Sequence, residues 1–139
     1  MENYFELALT EETLRGISSI GLAHMGDAVF EVLVRAWLCA HGKATGKGLH
    51  RATIQLVCAE SQAARAKYIL PMLSPEELAV FRRGRNAHVH TVPNHASRAQ
   101  YGEATALEAL FGWLYLQGRR ERVNELFCAM MKPGMSLEE

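Results

Sequence analysis

Apolar positions recur at intervals of three and four along most of the chain, and no stretch alternates convincingly with the two-residue period of a half-buried strand. The pattern predicts an all-α fold. A short helix is expected over 11–17. A second begins near Ser19, carries Leu22, Met25, Val29, Val32, Leu33 and Ala36 as one apolar face, runs to Ala40 and stops at Gly42, a residue suited to a left-handed cap. The glycine-rich, cationic segment 42–48 (GKATGKG) reads as a connection. A third helix is expected over 49–69 and ends at Pro71. Ser74-Pro75-Glu76-Glu77 has the form of a capping box with proline in the first helical position, opening a brief fourth helix that reaches about Arg83. Residues 84–97 (GRNAHVHTVPNHAS) lack a helical stripe and read as a long irregular loop, a kind of segment that is often functional. A fifth helix runs from Arg98 or Gln100 to Gln117, closed by Gly118. A sixth covers 120–131 before Pro133-Gly134. With no repeat, low-complexity tract or linker, residues 1–139 are expected to form one domain with a proper core.

The fifth helix differs from the others. Residues 104–116 (ATALEALFGWLYL) are apolar on nearly every side, so this stretch is expected to form a buried helix, and Glu108 is the only charge in the run. A carboxylate in such an interior costs several kcal/mol unless a cation, a metal or a set of donors meets it. Asp27, in GLAHMGDAVFEVLVRAWL, sits in a similar setting. Asp is a poor helix former and Gly26 adds to the local cost, which points to a position kept for function. Both acids have a plainer reading as structural groups, Glu108 paired with an arginine or capped by backbone donors. Carboxylates from two facing helices can also bind Mg²⁺, which keeps several waters and needs few protein oxygens. Thr105, one turn before Glu108, is placed to position a water or ligand beside it. Glu31 shares a face with His24 and Asp27, and a solvated pair with Arg35, four residues on, is its simpler account.

Lys plus Arg balance Asp plus Glu at 15 each, which excludes a uniformly basic nucleic-acid binder but permits a local patch. Such a patch is visible in Arg82-Arg83-Gly84-Arg85-Asn86, where three arginines surround a glycine at a helix end and suit phosphate contacts. Complementing the helix dipole explains one or two of these cations, not the cluster. Lys43, Lys47, Arg51, His88, His90 and Arg98 would extend a positive rim. His88, His90 and His95 imitate part of a zinc site, but no nearby Cys, Asp or Glu completes the set. Phosphate-cradling glycine loops and a nucleophile elbow are absent, so no small-molecule cofactor is expected. Cys39, Cys58 and Cys128 are odd in number and far apart, and read as buried free thiols in a reducing compartment. The N-terminus lacks a signal-peptide pattern, and 104–116 is too short for a membrane span. A cytoplasmic protein without membrane contact is expected.

With Gly26-Asp27 on one helix and Glu108 on another, the chain resembles the ribonuclease III catalytic domain. MGDAVFE (25–31) is similar to that family's signature LGDxxL/Y, whose Asp is a metal ligand, and TALEALFGWLYL (105–116) to its second acidic helix, DxxEALxGAxYL. LAHMGDAVFEVLVR (22–35), RGRNAH (83–88) and ATALEALFGWLYL (104–116) resemble, in order, the motifs of the Mini-III branch, a lone catalytic domain without a double-stranded-RNA-binding domain. The resemblance implies that Asp27 and Glu108 are catalytic metal ligands for Mg²⁺, with Mn²⁺ as a substitute, and that Arg83, Gly84, Arg85 and Asn86 form a basic RNA-binding loop. Glu31 also fits the branch motif. Full-length ribonuclease III has acids where this chain has Ala23 and Thr105, and a further one near 44–47, where none is found. Mini-III shares these reductions. The resemblance further implies a homodimer with one site per subunit that hydrolyses double-stranded RNA to 5′-phosphate and 3′-hydroxyl ends, and trims the large-subunit ribosomal RNA precursor. Two other classes stand beside it: a catalytically inactive RNA-binding dimer, motivated by the missing acids, and a helical interaction module without nucleic acid.

Overall fold

The computed structural model describes residues 1–87 and 97–131, and every regular element among them is helical. The elements are α1 (Glu11–Arg15), α2 (Ser19–Ala40), α3 (Gly46–Val57), α4 (Ala59–Ala66), a 3₁₀ turn (Leu70–Met72), α5 (Pro75–Arg85), α6 (Arg98–Leu116) and α7 (Arg120–Met131). The apolar helix is the centre of the structure. Along α6, residues 104–107 and 109–114 are buried, and α2, α4, α5 and α7 all pack on it. A helix surrounded in this way needs apolar side chains around its whole circumference, which is what its sequence carries.

The helix ends follow local chemistry. Ser74 and Glu77 form the expected capping box, with the Glu77 amide donating to Ser74 Oγ at 3.1 Å and the Ser74 amide to Glu77 Oε1 at 2.8 Å. Ser97 and Gln100 repeat the device at the start of α6. Gly42 and Gly118 take positive φ just beyond α2 and α6, as their positions predict. The expected helix over 49–69 is instead two. It starts earlier, at Gly46, with the Thr45 side chain accepting from the Gly48 amide, and breaks at Cys58, whose backbone is extended (φ −65°, ψ 154°). Neither glycine nor proline marks the break. Packing imposes it, because the bend turns α4 onto α6.

The face of α2 also differs from expectation. Leu22, Ala23, Gly26, Val29, Phe30, Val34 and Leu38 are buried, whereas Ala36 is exposed and Val32 is 67% exposed. The rotation has a physical cause at Gly26. A Cβ there would lie 1.6 Å from the carbonyl oxygen of Glu108, and one on Gly112 would lie 2.0 Å from the carbonyl oxygen of Leu22. Helices α2 and α6 therefore touch backbone to backbone, and the glycines turn inward. Gly26 has a packing role in addition to flanking Asp27.

Two arginines tie other elements together. Arg122 in α7 holds Glu77, which is 1% exposed, through Nε–Oε2 at 2.8 Å and Nη2–Oε1 at 2.7 Å. Arg65 in α4 donates to the Met130 carbonyl at 3.1 Å. The three cysteines are free, as expected, but all are exposed rather than buried. Among the described residues no helix is long and apolar enough to cross a membrane.

Because no movement of a flexible side chain can make room at the α2–α6 contact, Gly26→Ala and Gly112→Ala should each cost about 3 kcal/mol or more, the upper end for an overpacked core. Gly46→Ala, with nothing near its added methyl, should stay within about 1 kcal/mol of wild type. Urea denaturation checks both, and equal midpoints for the three variants would contradict the backbone contact.

Candidate active site

The glycine contact sets the position of the two acids. Asp27 follows Gly26 in α2, and Glu108 is the residue of α6 whose own carbonyl faces Gly26. Their carboxyl groups consequently meet within hydrogen-bonding reach, Asp27 at the exposed edge and Glu108 half-buried beneath it. The exposure of Asp27 departs from the expectation that it shares the apolar setting of Glu108. Burial, first, and then the adjoining Asp27 carboxyl push Glu108 up to about 8, while a hydrogen bond from Gln62 Nε2 to Glu108 Oε2 at 3.5 Å partly opposes the rise. Among the described residues neither acid has an ion-pair partner. The arginine expected under the structural reading of Glu108 is thus not found there.

Glu77 shows the opposite arrangement within the same chain. Its side chain is buried as deeply as any in the core, but Arg122 grips both oxygens and Arg119 lies 3.8 Å away. The hydrogen bonds from Arg122 hold its carboxyl well below the ordinary range, at about 2. One acid is neutralised and structural. The other is left with a like-charged neighbour and a neutral amide, an arrangement that a cation would relieve. The donor set fits a hard divalent ion, since Mg²⁺ is commonly held by one or two carboxylates with waters and substrate oxygens completing the shell. No group of three or more potential His, Cys, Asp or Glu ligands converges among the described residues.

The remaining candidates lie on several elements. Arg82, Arg85 and Asn86 are exposed at the C-terminal end of α5, with Arg85 Nη1 3.6 Å from Glu103 Oε1. Gly84 between them is buried because α5 meets α6 there: a Cβ would lie 2.9 Å from that of Ala109 and 3.0 Å from the Ala106 Cα. Exposed arginines flanking a buried glycine are the outer side of a helix contact. Arg83 lines a separate groove with Leu9, Glu76 and Trp113. Lys47 and Arg51 share a third place, with Lys43 and Thr45, at the start of α3. His88, His90 and His95 lie outside the described residues. Glu31 pairs with Arg35 at 2.9 Å on the surface. Thr105 is buried and its hydroxyl donates to the Tyr101 carbonyl at 3.0 Å. Gln62, the one donor to Glu108 among the described residues, carries no signal in the sequence, because it falls inside the expected helix 49–69 and nothing beside it hints at an acid opposite.

The two acids should titrate in opposite senses. Glu108 keeps its proton longer in the folded chain than at its ordinary 4.5, so in metal-free buffer stability falls as pH rises from about 4.5 to about 8. Glu108→Gln removes that loss and should melt above wild type at pH 8.5, with the gap closing toward pH 4.5. For Glu77, held at about 2, the contribution is complete above about 4.5 and is lost as pH falls toward 2. Glu77→Gln should cost about 3–5 kcal/mol at neutral pH, as for a broken buried pair, and approach wild type near pH 2. Thermal melts across pH in EDTA test both signs.

Comparison with known proteins places the chain in a family. The ribonuclease III domain model matches residues 21–119, which include both acids and the α5–α6 contact. A Mini-ribonuclease 3 of Symbiobacterium thermophilum is 43% identical over 108 residues, covering 78% of this chain and 83% of the relative. One of Clostridium tetani is 37% identical over 118 residues, covering 84% and 78%. A crystal structure of a protein from Fusobacterium nucleatum superposes with a TM-score of 0.79 at 29% identity, over 88% of this chain and 98% of that one. The chain belongs to the ribonuclease III domain family of endoribonucleases, in its Mini-ribonuclease 3 branch.

Proposed function

We propose that this chain is a single catalytic domain, 1–139, that cleaves double-stranded RNA in a Mg²⁺-dependent reaction, with Mn²⁺ able to replace Mg²⁺. The observation that carries the reading is the meeting of Asp27 and Glu108 with no ion-pair partner among the described residues. Asp27 and Glu108 would hold the ion. Once bound, it supplies an activated water and offsets charge on the phosphate in the transition state. Hydrolysis breaks the P–O3′ bond and leaves 5′-phosphate and 3′-hydroxyl ends. Arg82, Arg83, Arg85, Asn86, Lys47, Arg51 and His88 contact phosphates along the duplex. A-form RNA is recognised mainly through shape, phosphates and 2′-hydroxyls, so a surface of scattered cations is adequate. The protein acts as a cytoplasmic homodimer with one site per subunit, because two-fold symmetry lets two small domains address both strands. Its substrate is the large-subunit (23S) ribosomal RNA precursor.

A second reading, a catalytically inactive RNA-binding dimer, is favoured by the positions where the wider family has acids. Ala23 and Thr105 occupy them here, and both are buried. Cleavage of duplex RNA separates the two. Asp27→Asn and Glu108→Gln should each abolish product formation in Mg²⁺ while leaving the folded dimer intact. Binding of duplex RNA by wild type without any product, in Mg²⁺ or Mn²⁺, would establish the second reading instead. For the interface, Arg82→Ala and Arg85→Ala should weaken binding to all duplexes alike and each lower the slope of log affinity against log salt by about 1. Filter binding over a salt series checks this, and unchanged slopes would remove these arginines from the RNA surface.

A further inference from the structure

Gln62 is 2% exposed, and its single side-chain hydrogen bond among the described residues is the one to Glu108 Oε2. A buried amide left without partners costs about 1–3 kcal/mol, and a residue whose only role was to fill space between α4 and α6 would be better served by an apolar side chain. The bend at Cys58 is what turns α4, and Gln62 with it, toward the acid pair. Arg65, one turn further on, fastens the same short helix to the Met130 carbonyl and so holds it in that orientation.

We infer that Gln62 is a positioning residue for the metal site: its amide ties one oxygen of Glu108, fixes the carboxylate against Asp27 and leaves the other oxygen for the cation. The inference rests on the nuclease reading above. The chain itself supplies the comparison that supports it. Where a buried acid is purely structural, at Glu77, the donor is the guanidinium of Arg122, which neutralises it. At Glu108 the donor is an amide, which orients a carboxylate without cancelling the charge a divalent ion needs. A lysine or arginine at position 62 would compete with that ion for the same oxygens. Partners that orient a ligand in this way are commonly worth tenfold to a hundredfold in metal affinity.

The test uses Gln62→Met, close in length but unable to donate, and Gln62→Asn, whose amide is one methylene short of Glu108. Binding of Mn²⁺ alone is followed by electron paramagnetic resonance without RNA, and cleavage of duplex RNA separately. Mn²⁺ should bind about tenfold to a hundredfold more weakly, and kcat should fall while KM for RNA is unchanged, since Gln62 is not placed among the RNA contacts. Circular dichroism confirms folding, and if Gln62→Met does not fold, Gln62→Asn decides on the same terms. Wild-type Mn²⁺ affinity in a folded variant overturns the inference. Asp27→Asn, measured in parallel, separates the two levels: loss of Mn²⁺ binding there with none in the Gln62 variants sinks the role of Gln62 alone. Absence of Mn²⁺ binding in wild type sinks the nuclease reading and the inference with it.

Discussion

The crossing of α2 and α6 without an intervening side chain is the constraint on which the rest of the structure depends. Gly26 and Gly112 let the two helices meet through their backbones, with almost no space for even a methyl group. Closeness of this kind turns a fold property into a chemical one. Asp27 is the chain neighbour of one glycine, and the carbonyl against that glycine belongs to Glu108. The acids are therefore adjacent because the backbones are, and the packing that buries α6 is also what brings the one charge of its apolar run 104–116 against α2.

The two buried acids show how the same physical cost can be met in different ways. Glu77 joins α5 to α7 through a two-pronged contact with Arg122, and the energy of that contact goes into holding the fold. Among the described residues Glu108 receives only an amide and a like-charged neighbour. Natural sequences depart from local consistency mainly at functional positions, where stability is given up for activity. Here the departure and the compensation stand in one small core, and the contrast between them distinguishes the site from the scaffold more clearly than either acid alone.

Much of this was legible in the sequence, for reasons that are local. Helix periodicity, the Ser74–Glu77 box and the Gly42 and Gly118 stops act over a few residues, and the structure bears them out. The isolation of Glu108 in an apolar run was equally plain. What could not be read required knowledge of partners distant in the chain. Cys58 breaks a helix that its own neighbourhood would continue, because α4 gains more by packing on α6 than α3 loses by ending. The inward rotation of α2 comes from Gly112, distant in the chain, which makes Gly26 rather than Val32 the inner residue. The Glu77–Arg122 pair and the contact of Gln62 with Glu108 join segments that carry no mutual signal. The cysteines are exposed despite their setting, because the apolar residues flanking each one give no sign of which side of its helix faces the core.

The direct meeting of α2 and α6 also limits how this pocket can vary over evolutionary time. Sliding one helix by a single residue shifts it about 1.5 Å and swings every side chain through about 100°, which would drive a Cβ into the opposing peptide. Gradual adjustment of the spacing between the acids is therefore closed to mutation. Change can proceed only by swapping which side chains stand on a rigid lattice, so related chains should differ in the number of acids they carry there and hardly at all in where those acids sit.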